Sequence, residues 1–173
     1  DTPTADAESN LTHNLASLIG KSIVDKNPEG PSGDNLSVLG ADSMANTAIA
    51  ESMKHFNAAY FSPEITQAEI IVDNTQDPAT YSAAVAQIAR DTETQPPLPP
   101  NTSVAVKMAT LAKQYEKEVT ALRALSVPPA LIAEHLKAIR IATGRERILA
   151  VVADYENDPI YAILALQLWD TLK

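Results

Sequence analysis

The chain has 173 residues, 45% hydrophobic but only 5% aromatic, with 5 glycines, no cysteine and a net charge of -9. Without cysteine there are no disulfides, thiolate metal sites or cysteine nucleophiles. The negative charge, unrelieved by any basic run, excludes nucleic acid as a partner.

The apolar mass is mainly Ala, Leu, Ile and Val, which favours helices packed through small residues. The length fits one ordinary domain. Residues 1–9 belong to a polar run, DTPTADAESN, that starts without Met and is expected to follow a removed signal peptide or a membrane anchor. The remainder, 10–173, is expected to be a single helical domain: N-terminal helices over 10–94, a Pro-rich connector at 95–101 and a C-terminal helical core over 102–173.

From Leu11, the apolar positions Leu15, Leu18, Ile19 and Ile23 follow helical spacing, and NPEGPSGDN at 27–35 ends that helix near Lys26. A second helix, capped by Asp42 or Ser43, carries the stripe Met44, Ala48, Ile49, Met53, Phe56 and Tyr60 and stops at FSPE. EITQAEIIVDN at 64–74 is β-prone but has no evident partner strand, so a short extended or irregular crossover is expected. Asp77 followed by Pro78 opens a helix burying Tyr81, Ala84, Val85 and Ile88.

QPPLPPN at 95–101 is expected to be a stiff, polyproline-like spacer. A long helix then carries Val104, Met108, Leu111, Tyr115, Val119, Leu122 and Leu125 along one seam. SVPP turns the chain into another long helix from Pro129, with Leu131, Ile132, His135, Leu136 and Ile139 inward, followed by Leu149, Val152 and Tyr155. Gly144 within TGRER costs about 1 kcal/mol relative to Ala in a helix, which leaves open a kink or break there. Asp158 and Pro159 repeat the Asp-Pro start for a last helix that buries Ile160, Ile163, Leu164 and Leu168, with Trp169 at its edge.

Few residues offer chemistry. His135 lies between Ile132 and Ile139, where an imidazole bonded to a neighbouring helix is a packing residue. To act as a base it would need a partner fixing its tautomer and a nucleophile in reach, and the sequence supplies neither. Glu51 and His55 are one turn apart and could share a cation. The Glu-x-x-His pairs of bundle di-metal sites are absent, however, and a surface pair is the simpler reading. The acidic residues fall mostly opposite the apolar stripes, as on a solvated face. DYENDP at 154–159 lacks the ligand spacing of a calcium loop and reads as a capping turn. No phosphate-binding or nucleophile-elbow motif occurs. The expected metal and cofactor complement is therefore none, and any polar site would have to draw on His135, Glu51 and His55.

The segments NLT and KNPEGP within 10–31, SPEI with IIVDN, ALRALSVPPALIAEHLKAI and DPIYAILALQLW resemble a group of uncharacterised extracytoplasmic proteins of candidate-phylum bacteria. That resemblance implies an N-terminal membrane anchor ahead of a helical part and an association with secretion or pilus machinery. It implies no activity and no catalytic residue.

Taken together, the expectation is an all-α bundle of five to six helices. Its function is expected to be non-enzymatic: a structural or protein-interaction module, acidic, placed in the periplasm or at the cell surface. Its partners would be envelope proteins, and it would meet the membrane only through an anchor outside this chain. The alternative is a small-molecule-binding or hydrolytic bundle with a cleft near His135.

Overall fold

The computed structural model describes residues 10–26, 46–47, 49–50, 53–54, 56–94 and 98–172. The chain is an all-α helical bundle with one short pair of strands among the described residues. It divides into two compact units, one from residues up to Asn57 together with Tyr155–Leu164, the other from Ala58–Asp154 together with Ala165–Lys173.

In the first unit α1 spans Leu11–Lys26, as the apolar spacing and the following turn formers require. Its start is fixed by polar caps. Asn10 Oδ1 accepts from the His13 amide at 2.7 Å, and Asn10 Nδ2 donates to the Asn157 carbonyl at 2.8 Å. The Asp158 carboxylate, itself buried, accepts from the Leu11 amide at 2.6 Å, from the Thr12 amide at 3.1 Å and from the Thr12 hydroxyl at 2.7 Å. The same carboxylate accepts from the Tyr161 amide at 3.1 Å, and the Thr12 hydroxyl accepts from the Ile160 amide at 3.1 Å. One aspartate thus caps α1 and the helix that follows it, and two sets of orphan helix-start amides are satisfied together. Leu18, expected on the buried stripe, is exposed.

The expected second helix is only partly borne out. Residues 46–47, 49–50 and 53 are helical, while Met44, Ala48, Glu51 and His55 lie outside the described residues. Ile49 and Met53 are exposed instead of buried. Phe56 and Asn57 leave the helix, the Phe56 amide closing on the Met53 carbonyl at 3.1 Å, and the Phe56 ring meets Tyr161 edge-on at 5.3 Å.

The second unit opens with the one-turn helix α2 (Ala58–Phe61), which buries Phe61 completely. A 3-10 turn, Gln67–Glu69, leads to β1 (Ile71–Val72), which pairs in parallel with β2 (Ser126–Val127), Ile71 opposite Ser126 and Val72 opposite Val127. IIV therefore does have a partner, and that partner is the SVPP turn. Pro128 pushes the residue before it out of the helical region into extended backbone, so Val127 presents a strand edge. The intervening helices supply the long crossover a parallel pair needs.

Those helices are α3 (Pro78–Glu93) and α4 (Val104–Arg123). Asp77 caps α3 by accepting from the Thr80 amide at 2.8 Å, and Ser103 caps α4 through the Val106 amide at 3.3 Å. In the connector the Thr102 amide bonds the Pro99 carbonyl at 3.0 Å. Its described part is thus a turn, not an extended spacer. A 3-10 turn at Pro129–Leu131 feeds α5 (Ile132–Ala153), which packs along α4, while α3 lies on α4 and α2 on α5. Ile65, Leu122, Ile139 and Ala142 form the core, flanked by Val85, Ile88, Tyr115 and Val119.

Two expectations about α4 and α5 need correction, and the alternative left open at Gly144 is resolved. Val104 and Leu111 are exposed while Ala112 and Gln114 are buried, although Tyr115, Val119, Leu122 and Leu125 pack at the core as the seam requires. Tyr155 follows the end of α5 and is exposed. Gly144 neither breaks nor ends α5, which runs through it. A methyl there would collide with the Phe61 carbonyl and come within 2.7 Å of a Leu172 methyl, so the residue is glycine because two segments pass too close for a side chain.

The last helix, α6 (Pro159–Gln167), buries Ala162 and Ala165 and leaves Ile163 and Leu166 exposed, reversing the expected burial of Ile163. A 3-10 turn, Trp169–Thr171, follows it. Among the described residues no helix is long and apolar enough to cross a membrane.

Candidate functional site

His135 is placed by α5 with its ring toward α3 and α4, and its solvent exposure is 0%. The Tyr81 hydroxyl and His135 Nδ1 share a hydrogen bond of 2.8 Å, with the rings edge to face at 5.7 Å and 68°. Nε2 is sealed from solvent without a hydrogen bond of good geometry. Burial pushes the His135 pKa below its ordinary value, and the Leu122 backbone, as an acceptor, opposes this weakly. Burial likewise pushes the Tyr81 pKa up, helped by the charge of Glu134. Both partners are therefore neutral near pH 7, and they form a polar clasp inside an apolar seam.

The other predicted site residues are not brought to it. Glu51 and His55 lie outside the described residues, and His13 sits on the exposed side of α1. No group of three His, Asp or Glu side chains placed to hold a metal occurs among the described residues. In DYENDP, Asp158 turns inward as a cap and the Tyr155 hydroxyl donates to Glu156 at 3.2 Å.

A cleft of about 140 Å³ does open between α3 and α4, lined by Ile88, Asp91, Gln114, Lys117 and Glu118 among others, but His135 does not reach it. The cleft expected, in the alternative reading, near the histidine is thus not the one described, whose lining does not include His135. Its polar groups are a mixed set of one ammonium, two carboxylates and the nearly buried Gln114 amide.

A second cluster was not foreseen. The Arg145 guanidinium lies 5.4 Å from the Trp169 ring centroid and 5.9 Å from that of Tyr115, and the two rings meet edge-on at 6.3 Å. Its Nε is buried without an acceptor. Two residues on, Arg147 is used differently: it stacks on Tyr60 at 4.5 Å and donates to the Tyr60 carbonyl at 2.5 Å. Between them Glu146 has its pKa raised by burial, with Arg147 acting against the shift and Glu116 with it. The available signal was the scarcity of aromatic residues, which makes any pairing of Tyr115 with the one tryptophan conspicuous.

In comparisons with known proteins, no family model, no curated protein and no solved structure matches this chain.

Proposed function

We propose that the chain is a non-enzymatic interaction module of the cell envelope, anchored through a segment outside this sequence and serving a membrane-associated assembly. The observation that carries this reading is the position of His135. The residue best suited to acid-base chemistry is used to tie α3 to α5 and is withheld from solvent. Among their charged outer side chains the helices also present apolar and aromatic groups: Ile163 and Leu166, one turn apart on α6, are 57% and 47% exposed, and the half-buried Trp169 and Tyr115 frame a guanidinium. Side chains of these kinds dominate protein contacts. The resemblance to anchored extracytoplasmic proteins is what supports the envelope as the compartment.

The test is made in the host, with the whole gene product tagged at its C-terminus and a photo-crosslinking residue at Ile163. Recovery in the envelope fraction with a discrete protein adduct is expected. A cytosolic product that forms no adduct overturns the reading.

A further inference from the structure

We infer that Arg145, Tyr115 and Trp169 form a recognition site for a single carboxylate carried by an otherwise apolar segment of a partner protein. The argument begins with how the described arginines are employed. Arg123 pairs with Glu69 at 3.2 Å, Arg90 donates to Gln87 at 2.9 Å, and Arg147 donates to a carbonyl. Arg140 and Arg145 each bury Nε without an acceptor among the described residues, and of the two it is Arg145 that is flanked by aromatic rings. Its contacts are the two rings, and an aromatic contact satisfies the charge of a guanidinium without engaging its in-plane N–H groups.

Nε is sealed, whereas the terminal Nη atoms are not among the sealed atoms and have no hydrogen-bond partner among the described residues, so on this half-buried side chain they are the part of the fork left to take an acceptor. Two rings and the walls around Nε hold that fork in place, and a planar, oriented fork is the geometry that takes a carboxylate through two parallel bonds. Trp, Tyr and Arg are also the side chains that most often dominate binding energy at protein contacts.

Two features select the ligand. The described cleft between α3 and α4 includes none of Tyr115, Arg145 and Trp169, and all three are half-buried, so they present a shallow, partly exposed face. Such a surface suits a group presented by another protein better than a small molecule that must be enclosed. The chain carries a net charge of -9, which repels a polyacidic segment at long range while leaving one carboxylate flanked by apolar residues free to approach. This inference deepens the interaction-module reading and rests on it for the partner's existence, but its test does not need the host.

Trp169 is the only tryptophan in the chain, so its emission reports the site directly. The intact protein is titrated with pooled N-acetyl apolar tripeptides in three forms: free C-terminal carboxylate, C-terminal amide, and amide with a central glutamate. Acetate is the fourth probe. One of the carboxylate forms is expected to change Trp169 emission saturably, binding at least tenfold more tightly than the plain amide. Arg145→Gln should abolish that preference, and Arg145→Lys, which keeps the charge but not the fork, should weaken it at least tenfold with helicity unchanged.

Equal response to all three peptide forms overturns the inference, as does a preference that survives in Arg145→Lys. Acetate matching the peptides also overturns it, because the site would then take a free carboxylate. Failure here with Ile163 adducts intact in the host removes this site and leaves the interaction-module reading standing. A cytosolic product that still binds the peptides does the reverse.

Discussion

The junction at Asp158 and the seam at His135 each bury an ionisable side chain, and they do so by opposite means. Asp158 is met by donors on every side: three backbone amides and the Thr12 hydroxyl converge on its two oxygens from two helix starts. His135 has one hydrogen bond of good geometry, to Tyr81, and its sealed Nε2 has only a poorly aligned approach to the Leu122 backbone. A carboxylate between two helix starts offers acceptors to amides that have no partner within their own helices. An imidazole in an apolar seam is accommodated only when neutral. The first region is therefore held by polar capping, and the second by packing that admits one polar clasp.

The largest expected effect falls on the packed region. Gly144→Ala would ordinarily stabilise a helix by about 1 kcal/mol. Here the added methyl meets the Phe61 carbonyl and Leu172, and a backbone carbonyl cannot turn aside as a side chain can. The expected result is a loss of about 3 kcal/mol or more, the upper end of overpacking costs, read by urea denaturation. A stabilised variant would show that the α2–α5 approach is looser than described.

Next comes the capped region. Asp158→Ala removes the caps of α1 and α6 at once and should cost about 2–4 kcal/mol, with faster hydrogen exchange at the Leu11, Thr12 and Tyr161 amides. Asp158→Asn keeps an acceptor and should lose about half as much. Should the alanine variant lose less than about 0.5 kcal/mol, water caps these helix starts as well as the carboxylate does.

The clasp is expected to matter less. His135→Leu should cost about 1–2 kcal/mol because it leaves the enclosed Tyr81 hydroxyl without its acceptor, offset by removal of the unbonded Nε2. Tyr81→Phe should cost about 1 kcal/mol, and the double variant less than the sum by about 1 kcal/mol, the signature of a pair that acts as a unit. Strict additivity would mean that the 2.8 Å contact contributes nothing.

What could be read from residue order alone follows the same division. Helix starts were legible wherever the signal is local: Asp77-Pro78, Asp158-Pro159 and the turn formers after Lys26 all mark observed ends. His135 was legible as buried, because Ile132, Leu136 and Ile139 share its side of α5. What escaped depends on a remote partner. Asp158 was recognisable as the cap of its own helix but not of α1, which begins 147 residues earlier. The pairing of Ile71 with Ser126 joins segments whose β character is too short to announce itself. The α4 seam was legible at Tyr115, Val119, Leu122 and Leu125, whereas the burial of Ala112, Ala162 and Ala165 escaped because small side chains permit a close approach that the larger Leu111 and Ile163 do not. The Arg145 cluster gathers three elements and has no local motif at all.

The smallest effect is also the one that separates the two regions by charge. Burial holds the His135 pKa below 6.5, so the folded ring stays neutral while the unfolded ring takes up a proton as the pH falls past that value. The unfolded state then binds more protons, and stability decreases with acidification. The contribution is complete above about pH 6.5 and is lost progressively toward the lower folded-state value. Glu146 works in the other sense, since burial raises its pKa: its destabilising charge is relieved as the pH falls through the folded value. The raw melting curve therefore mixes the two, and the difference between wild type and His135→Leu isolates the ring from Glu146 and from the other two histidines. That difference should favour wild type at pH 7.5 and shrink steadily toward pH 5. A difference independent of pH would mean that the seam accommodates the protonated ring as readily as the neutral one, with Nε2 donating to a partner in solution.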